Sequence, residues 1–191
     1  MKNTILFALI LMLSPMATST ALADAPSVAK QDYNFIAQLK GDWKLLPASQ
    51  QEGKTTKNKL VAPLVGTDKT AMSFKVIGKG STVQENLLPG TKKEMATMYH
   101  CDSHKNCSQV EATHYCAKQN QPEFVAALRT EKNTISLDCN MGNDVCQSKS
   151  GHVHKITHQL ITNNHLKTTY TIFKDGKRKK DSIYHFARVT H

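Results

Sequence analysis

Long apolar runs are almost absent from this chain. The one continuous stretch, residues 5–13 (ILFALILML), holds nine residues, too few to cross a bilayer as a helix. Lys2 precedes it and Ala21-Leu22-Ala23 follows it, the form of a cleavable export signal, with Ala23-Asp24-Ala25 as an alternative cleavage point. Residues 1–23 are therefore read as a targeting segment and the destination as the periplasm or the exterior. No later stretch is apolar enough for a transmembrane helix, and no cysteine near the cleavage point offers a lipid anchor. Internal repeats, low-complexity tracts and C-x-x-C spacings are also missing, which excludes solenoids and sequence-local zinc knuckles. Acidic residues are scarce, 15 against 25 Lys and Arg, leaving a net charge of +10. That excess is scattered. Its one dense run, Lys177-Arg178-Lys179-Lys180, follows an Asp175-Gly176 turn and reads as a solvated hairpin tip. Weak contact with anionic surfaces fits this pattern; a nucleic-acid partner is not expected.

What is present is β-type. Five cysteines in an exported chain imply disulfides. Two pairs bracket short loops, Cys101 with Cys107 and Cys139 with Cys146, and this pairing leaves Cys116 free. Residues 24–40 read as a leader ending in a short helix over 33–39, capped by Asp32 and stopped by Gly41. From there to residue 191, alternating runs punctuated by turn residues give nine or ten short strands, a sandwich or an up-and-down barrel. Residues 50–59 form a lysine-rich loop, and Pro63 breaks residues 60–65 into an edge or bend. The stretch 95–116 is a hairpin. With Cys101 set opposite Cys107, Met98 and His100 share the drier face with Val110, Ala112, His114 and Cys116. His152, His154 and His158 alternate onto the drier face of a later strand, and Tyr170 onto that of the next.

Two sets of motifs favour the barrel. Gly41-Asp42-Trp43 after a short helix, with Arg188 in the last strand, resembles the opening and closing motif of lipocalins and other calycins. That resemblance implies an arginine lying across the tryptophan to close one barrel end, a contact worth about 1–2 kcal/mol where water is excluded. Further segments, GSTVQENLLPG at 80–90, EMATMYH at 94–100, THYC at 113–116 and GHVH at 151–154, are similar to an uncharacterised bacterial family of exported calycin-like proteins, a domain of unknown function. The resemblance spans residues 39–189 and implies an all-β, antiparallel up-and-down calycin-like barrel. It supplies no activity.

The candidate chemistry lies on the drier faces. His100, His114, Cys116, His152, His154, Met98 and Tyr170 are the residues expected to line a ligand site. Mixed apolar and imidazole walls suit a small amphiphilic molecule with an anionic or polar head. Of these, His100, His114, His152 and His154 are the candidate metal ligands, with the Cys116 thiol beside them, since imidazole and thiolate suit zinc or copper. Haem is a further cofactor reading, through a fold-level similarity to nitrobindins, small barrels that ligate haem through histidine. Catalysis by a His114–Cys116 pair is disfavoured, because no orienting carboxylate or oxyanion hole is evident. A filled barrel acting as a non-catalytic envelope interaction protein is the remaining reading.

Overall fold

The structure, a computed structural model, describes residues 26–103 and 105–190. The expected targeting segment, residues 1–23, lies outside the described residues. Helix α1 (Val28–Ala37) precedes β1 (Gly41–Leu45), β2 (Thr70–Ile77), β3 (Thr82–Leu87), β4 (Met95–Cys101), β5 (Val110–Tyr115), β6 (Glu123–Ala126) and β7 (Thr134–Cys139). A single turn of helix, α2 (Asp144–Gln147), leads to β8 (His152–Thr162), β9 (His165–Lys174), β10 (Lys177–Arg178) and β11 (Ser182–Arg188). Pairing is antiparallel throughout, in the order β9-β11-β1-β2 and on to β8, and β8 returns to β9 to close a ten-strand barrel; the two-residue β10 is an extra strand on β9. No described helix is long and apolar enough to cross a membrane.

The helix closes one end. It starts earlier than expected: Ser27, not Asp32, is the cap, its Oγ accepting from Lys30 N at 3.1 Å. Asp32 falls inside the helix and pairs with Arg129, Nε to Oδ1 3.0 Å. Tyr33 and Ile36, three residues apart, share a face, and Phe35 is buried with them. The Tyr33 hydroxyl donates to Gly80 O at 2.7 Å, tying the helix to the turn before β3. Beside it, the Arg188 guanidinium lies 4.1 Å from the centroid of the fully buried Trp43 ring. Its nitrogens donate to the carbonyls of Lys40 (2.6 Å), Gln38 (3.3 Å) and Asn163 (3.2 Å), while Trp43 Nε1 donates to Leu39 O at 2.9 Å. The carbonyls after α1 are thereby satisfied. Gly41 has φ +121°, a backbone conformation that favours glycine, and a Cβ there would stand in ordinary contact with the Arg188 guanidinium at 3.4 Å.

Three register details decide which side chains face the lumen. Val110, not Cys107, pairs with Cys101; Cys107 lies in the loop and bridges back to Cys101 from there. The difference is an odd number of residues, so the whole of β4 is turned over relative to expectation. Thr97 and Tyr99 are buried with Val110, Ala112 and His114, whereas Met98 and His100 take the outer face. In β8, Val153 pairs with Ile172 but Lys155 with Thr171, a bulge at His154. The bulge separates His152 and His154 from the inner row of Ile156, His158 and Leu160. In β10, Lys177 pairs with Lys174, and continuing that register would place Asp181 opposite Tyr170. Ser182 stands there instead, and the one-residue slip turns Tyr184, Phe186 and Arg188 inward, where a simple tight turn would have sent Ile183 and Val189. The second bridge joins Cys139 to Cys146 across α2, and Cys116 is free.

Arg188→Lys keeps the charge but loses the planar fork. It is expected to lower unfolding free energy by about 1–2 kcal/mol in urea titrations followed by Trp43 fluorescence. An unchanged midpoint and slope would show that the guanidinium does not hold this end.

Candidate functional site

Half-way up the lumen sits a carboxylate with no exposure. β3 alternates Val83, Glu85 and Leu87 onto its inner face, and Glu85 is completely buried. Tyr99 of β4 donates its hydroxyl to Glu85 Oε2 at 2.5 Å, and Tyr170 of β9 donates to Oε1. His158 of β8 brings Nε2 to 3.2 Å from the same Oε2 and to 2.9 Å from the Tyr99 oxygen, while its Nδ1 meets Thr168 Oγ1 at 3.0 Å. Burial alone pushes the Glu85 carboxyl up. The His158 imidazole and the Tyr170 and Tyr99 hydroxyls outweigh it and hold the group below its ordinary range. The two phenols are correspondingly pushed well above theirs, by burial and by the Glu85 charge.

His114 stands next to this cluster, its ring centroid 6.1 Å from that of Tyr170. Its Nδ1 is 2.9 Å from Thr97 Oγ1. With its proton on Nδ1, toward Thr97 Oγ1, the ring leaves Nε2 as an acceptor. That atom is buried without a hydrogen-bond partner. An orphan of this kind costs about 1–3 kcal/mol. Burial, only partly opposed by the Glu85 charge, pushes the His114 pKa down to about 4.

Above the cluster the lumen is hollow. A cavity of about 720 Å³ opens at the end away from α1, within the size range of small-molecule sites. Leu87, Leu88, Met95, Val153, Ile172 and Tyr184 supply apolar wall, and His114 and Tyr170 reach it from the cluster. Six lysines ring the mouth: Lys54, Lys57, Lys92, Lys93, Lys118 and Lys180. The carboxylate lining it, Asp181, is held by Arg178 at 2.5 Å. The loop after β1 is more than a solvated tether. It folds over the mouth through Leu60 and the buried Val61, with Pro63 in a single 3-10 turn, Ala62–Leu64.

Of the residues expected at a site, His114, Cys116 and Tyr170 line this cavity together. Met98 and His100 do not, and His100 Nδ1 bonds the Cys101 backbone oxygen at 3.0 Å. His152 and His154 come together elsewhere, Nε2 to Nδ1 3.0 Å, with His154 stacked on Phe173. Their ligating atoms and Cys139 Sγ lie within 4.8 Å of one another, but that sulfur is committed to Cys146. The four histidines named as metal candidates therefore do not converge. Among the described residues, His114 is the histidine lining the cavity, so a haem or metal ion lodged there would have to use its Nε2. Sequence reasoning missed Glu85, Tyr99 and the lysine rim, and placed His158 on a drier face without assigning it to a site. The visible signal was a glutamate between Val83 and Leu87 on an apolar face.

No protein-family model matches this chain, and no curated protein matches it. The functional reading therefore rests on the lining of the barrel.

The unfolded chain takes up a proton at His114 near pH 6.5, while the folded chain resists until about 4. Its contribution to stability is complete above pH 6.5 and drains as pH falls through that window; that of Glu85 goes at lower pH. Between pH 7 and 4.5, the wild-type chain is expected to lose about 2 kcal/mol more unfolding free energy than His114→Gln. Parallel losses in urea titrations of the two proteins would contradict this.

Proposed function

We propose that this chain is an exported binding barrel, of the lipocalin kind its motifs resemble, that carries a small amphiphilic molecule. The ligand's apolar body occupies the cavity and its anionic head lies among the lysines at the mouth. The observation that carries this reading is the pairing of an apolar-walled space of about 720 Å³ with six lysines around its opening. Each methylene taken into such a space contributes about 0.8 kcal/mol, so chain length sets affinity and the rim sets head-group preference. Below the mouth, the Tyr170 hydroxyl is turned onto Glu85, so the wall presents its ring to the ligand. Export is supported by the form of residues 1–23 and by two bridges in a chain of this size.

The reading is tested with a fluorescent medium-chain fatty acid and its uncharged alcohol analogue. Saturable binding of the acid is expected, with the alcohol weaker by about tenfold. Reversing Lys92, Lys93 and Lys180 to Glu should weaken the acid by about tenfold or more and leave the alcohol unchanged. Absence of saturable binding, or equal affinity for acid and alcohol, would contradict the proposal. Expressed with residues 1–23 attached in a bacterium, the chain should be recovered from the periplasm beginning at Asp24 or Pro26. Recovery from the cytoplasm with Met1 retained would remove the export half.

A further inference from the structure

Three soft donors line one wall of the cavity. The antiparallel register of β4 and β5 pairs Ala96 with Tyr115, so the next step places Met95 beside Cys116. Cys116 Sγ and Met95 Sδ are 4.0 Å apart, and both line the cavity. His114, two residues before Cys116 on the same face, lines it too, and its Nε2 is buried without a hydrogen-bond partner. We propose that Met95, His114 and Cys116 bind one Cu(I) ion.

The donor set selects the metal. A thioether, a thiol and a neutral imidazole, with no carboxylate among them, are soft ligands and suit monovalent copper better than zinc or magnesium. The sulfur spacing agrees. Two sulfurs each about 2.3 Å from an ion, 120° apart in a three-coordinate site, are separated by about 4.0 Å. Thr97 Oγ1 can hold the proton-bearing Nδ1, the tautomer in which Nε2 has the lone pair a metal needs. Cys116 sulfur accepts the backbone N–H of Lys118, whose side-chain charge also favours the thiolate. Burial of the thiol works the other way, raising its pKa, so binding must displace its proton. The balance is one Cu⁺ in and one H⁺ released to solvent, with no change of oxidation state. A half-buried cysteine acting only as filler would explain the sulfur contact but not the unpartnered imidazole nitrogen of His114 on the same strand face.

The site is separable from the fatty-acid reading, since its donors are on the wall and the lysines are at the rim. The test uses the mature chain with both bridges intact, under anaerobic conditions, with tetrakis(acetonitrile)copper(I) as the metal source and bicinchoninate as competitor. One equivalent of copper should pass to the protein, with release of one proton in weakly buffered solution. X-ray absorption should show two sulfur neighbours and one nitrogen neighbour. Cys116→Ser should weaken binding by about 100-fold, and His114→Gln and Met95→Leu by about tenfold or more each. Met95→Leu conserves volume, so it remains informative should His114→Gln fail to fold. Failure to compete with bicinchoninate, or retention of full affinity in Cys116→Ser or Met95→Leu, overturns the proposal. Fatty-acid binding by a chain that takes no copper would leave the carrier reading standing and remove this one.

Discussion

The ionised Glu85 carboxylate inside the barrel is the constraint on which the other features depend. A carboxylate cannot be taken out of water without partners, and this one draws them from three other strands: Tyr99 from β4, His158 from β8 and Tyr170 from β9. Strand β3 neighbours neither β8 nor β9 in the sheet, so the bonds cross the lumen and tie opposite walls together. Such a buried pair is weak evidence for net stability, because desolvation offsets much of the attraction. Its effect is on register. A slip of one residue in any contributing strand would leave a charge or a phenol unpaired in a dry interior.

The same cluster divides the barrel in two. Below it, Val83, Leu166 and Phe186 belong to the continuous core that α1 caps, with Arg188 over Trp43 at the edge. Above it the interior is not filled, and the cavity keeps His114 and Tyr170 as its deepest polar contacts. Thr97 Oγ1 bonds His114 Nδ1, and the Nε2 of the same ring is buried without a partner. The polar floor, the soft donors on the β4–β5 wall and the lysine rim thus form successive levels of one space. The proposed carriage of an amphiphile and the proposed binding of copper would use different levels of it.

The fold was legible because alternation and turn chemistry are local. Strand count, closure into a barrel, the Trp43–Arg188 contact and the two cysteine pairs all follow from short-range signals or recognisable motifs. The site was legible only in part, and the reason is parity. Three small irregularities, the long loop between β4 and β5, the bulge at His154 and the slip between β10 and β11, each shift pairing by an odd step. Each exchanges inner for outer residues along a strand, which is how Met98 and His100 came to be expected inside and Tyr99 outside. Glu85 and His158 are far apart in sequence and meet across the lumen, and no spacing rule announces such a meeting.

The most direct test of this account is the titration of Glu85 itself. With glutamate side-chain carboxyls labelled with ¹³C and the Glu85 signal assigned by its loss in Glu85→Gln, the shift can be followed against pH in the folded protein. The account predicts an ionised carboxylate at neutral pH whose midpoint lies below the ordinary glutamate value of about 4.3. A midpoint above that value, or a protonated Glu85 at pH 7, would mean that burial outweighs its partners, and the network could not be the charged floor described.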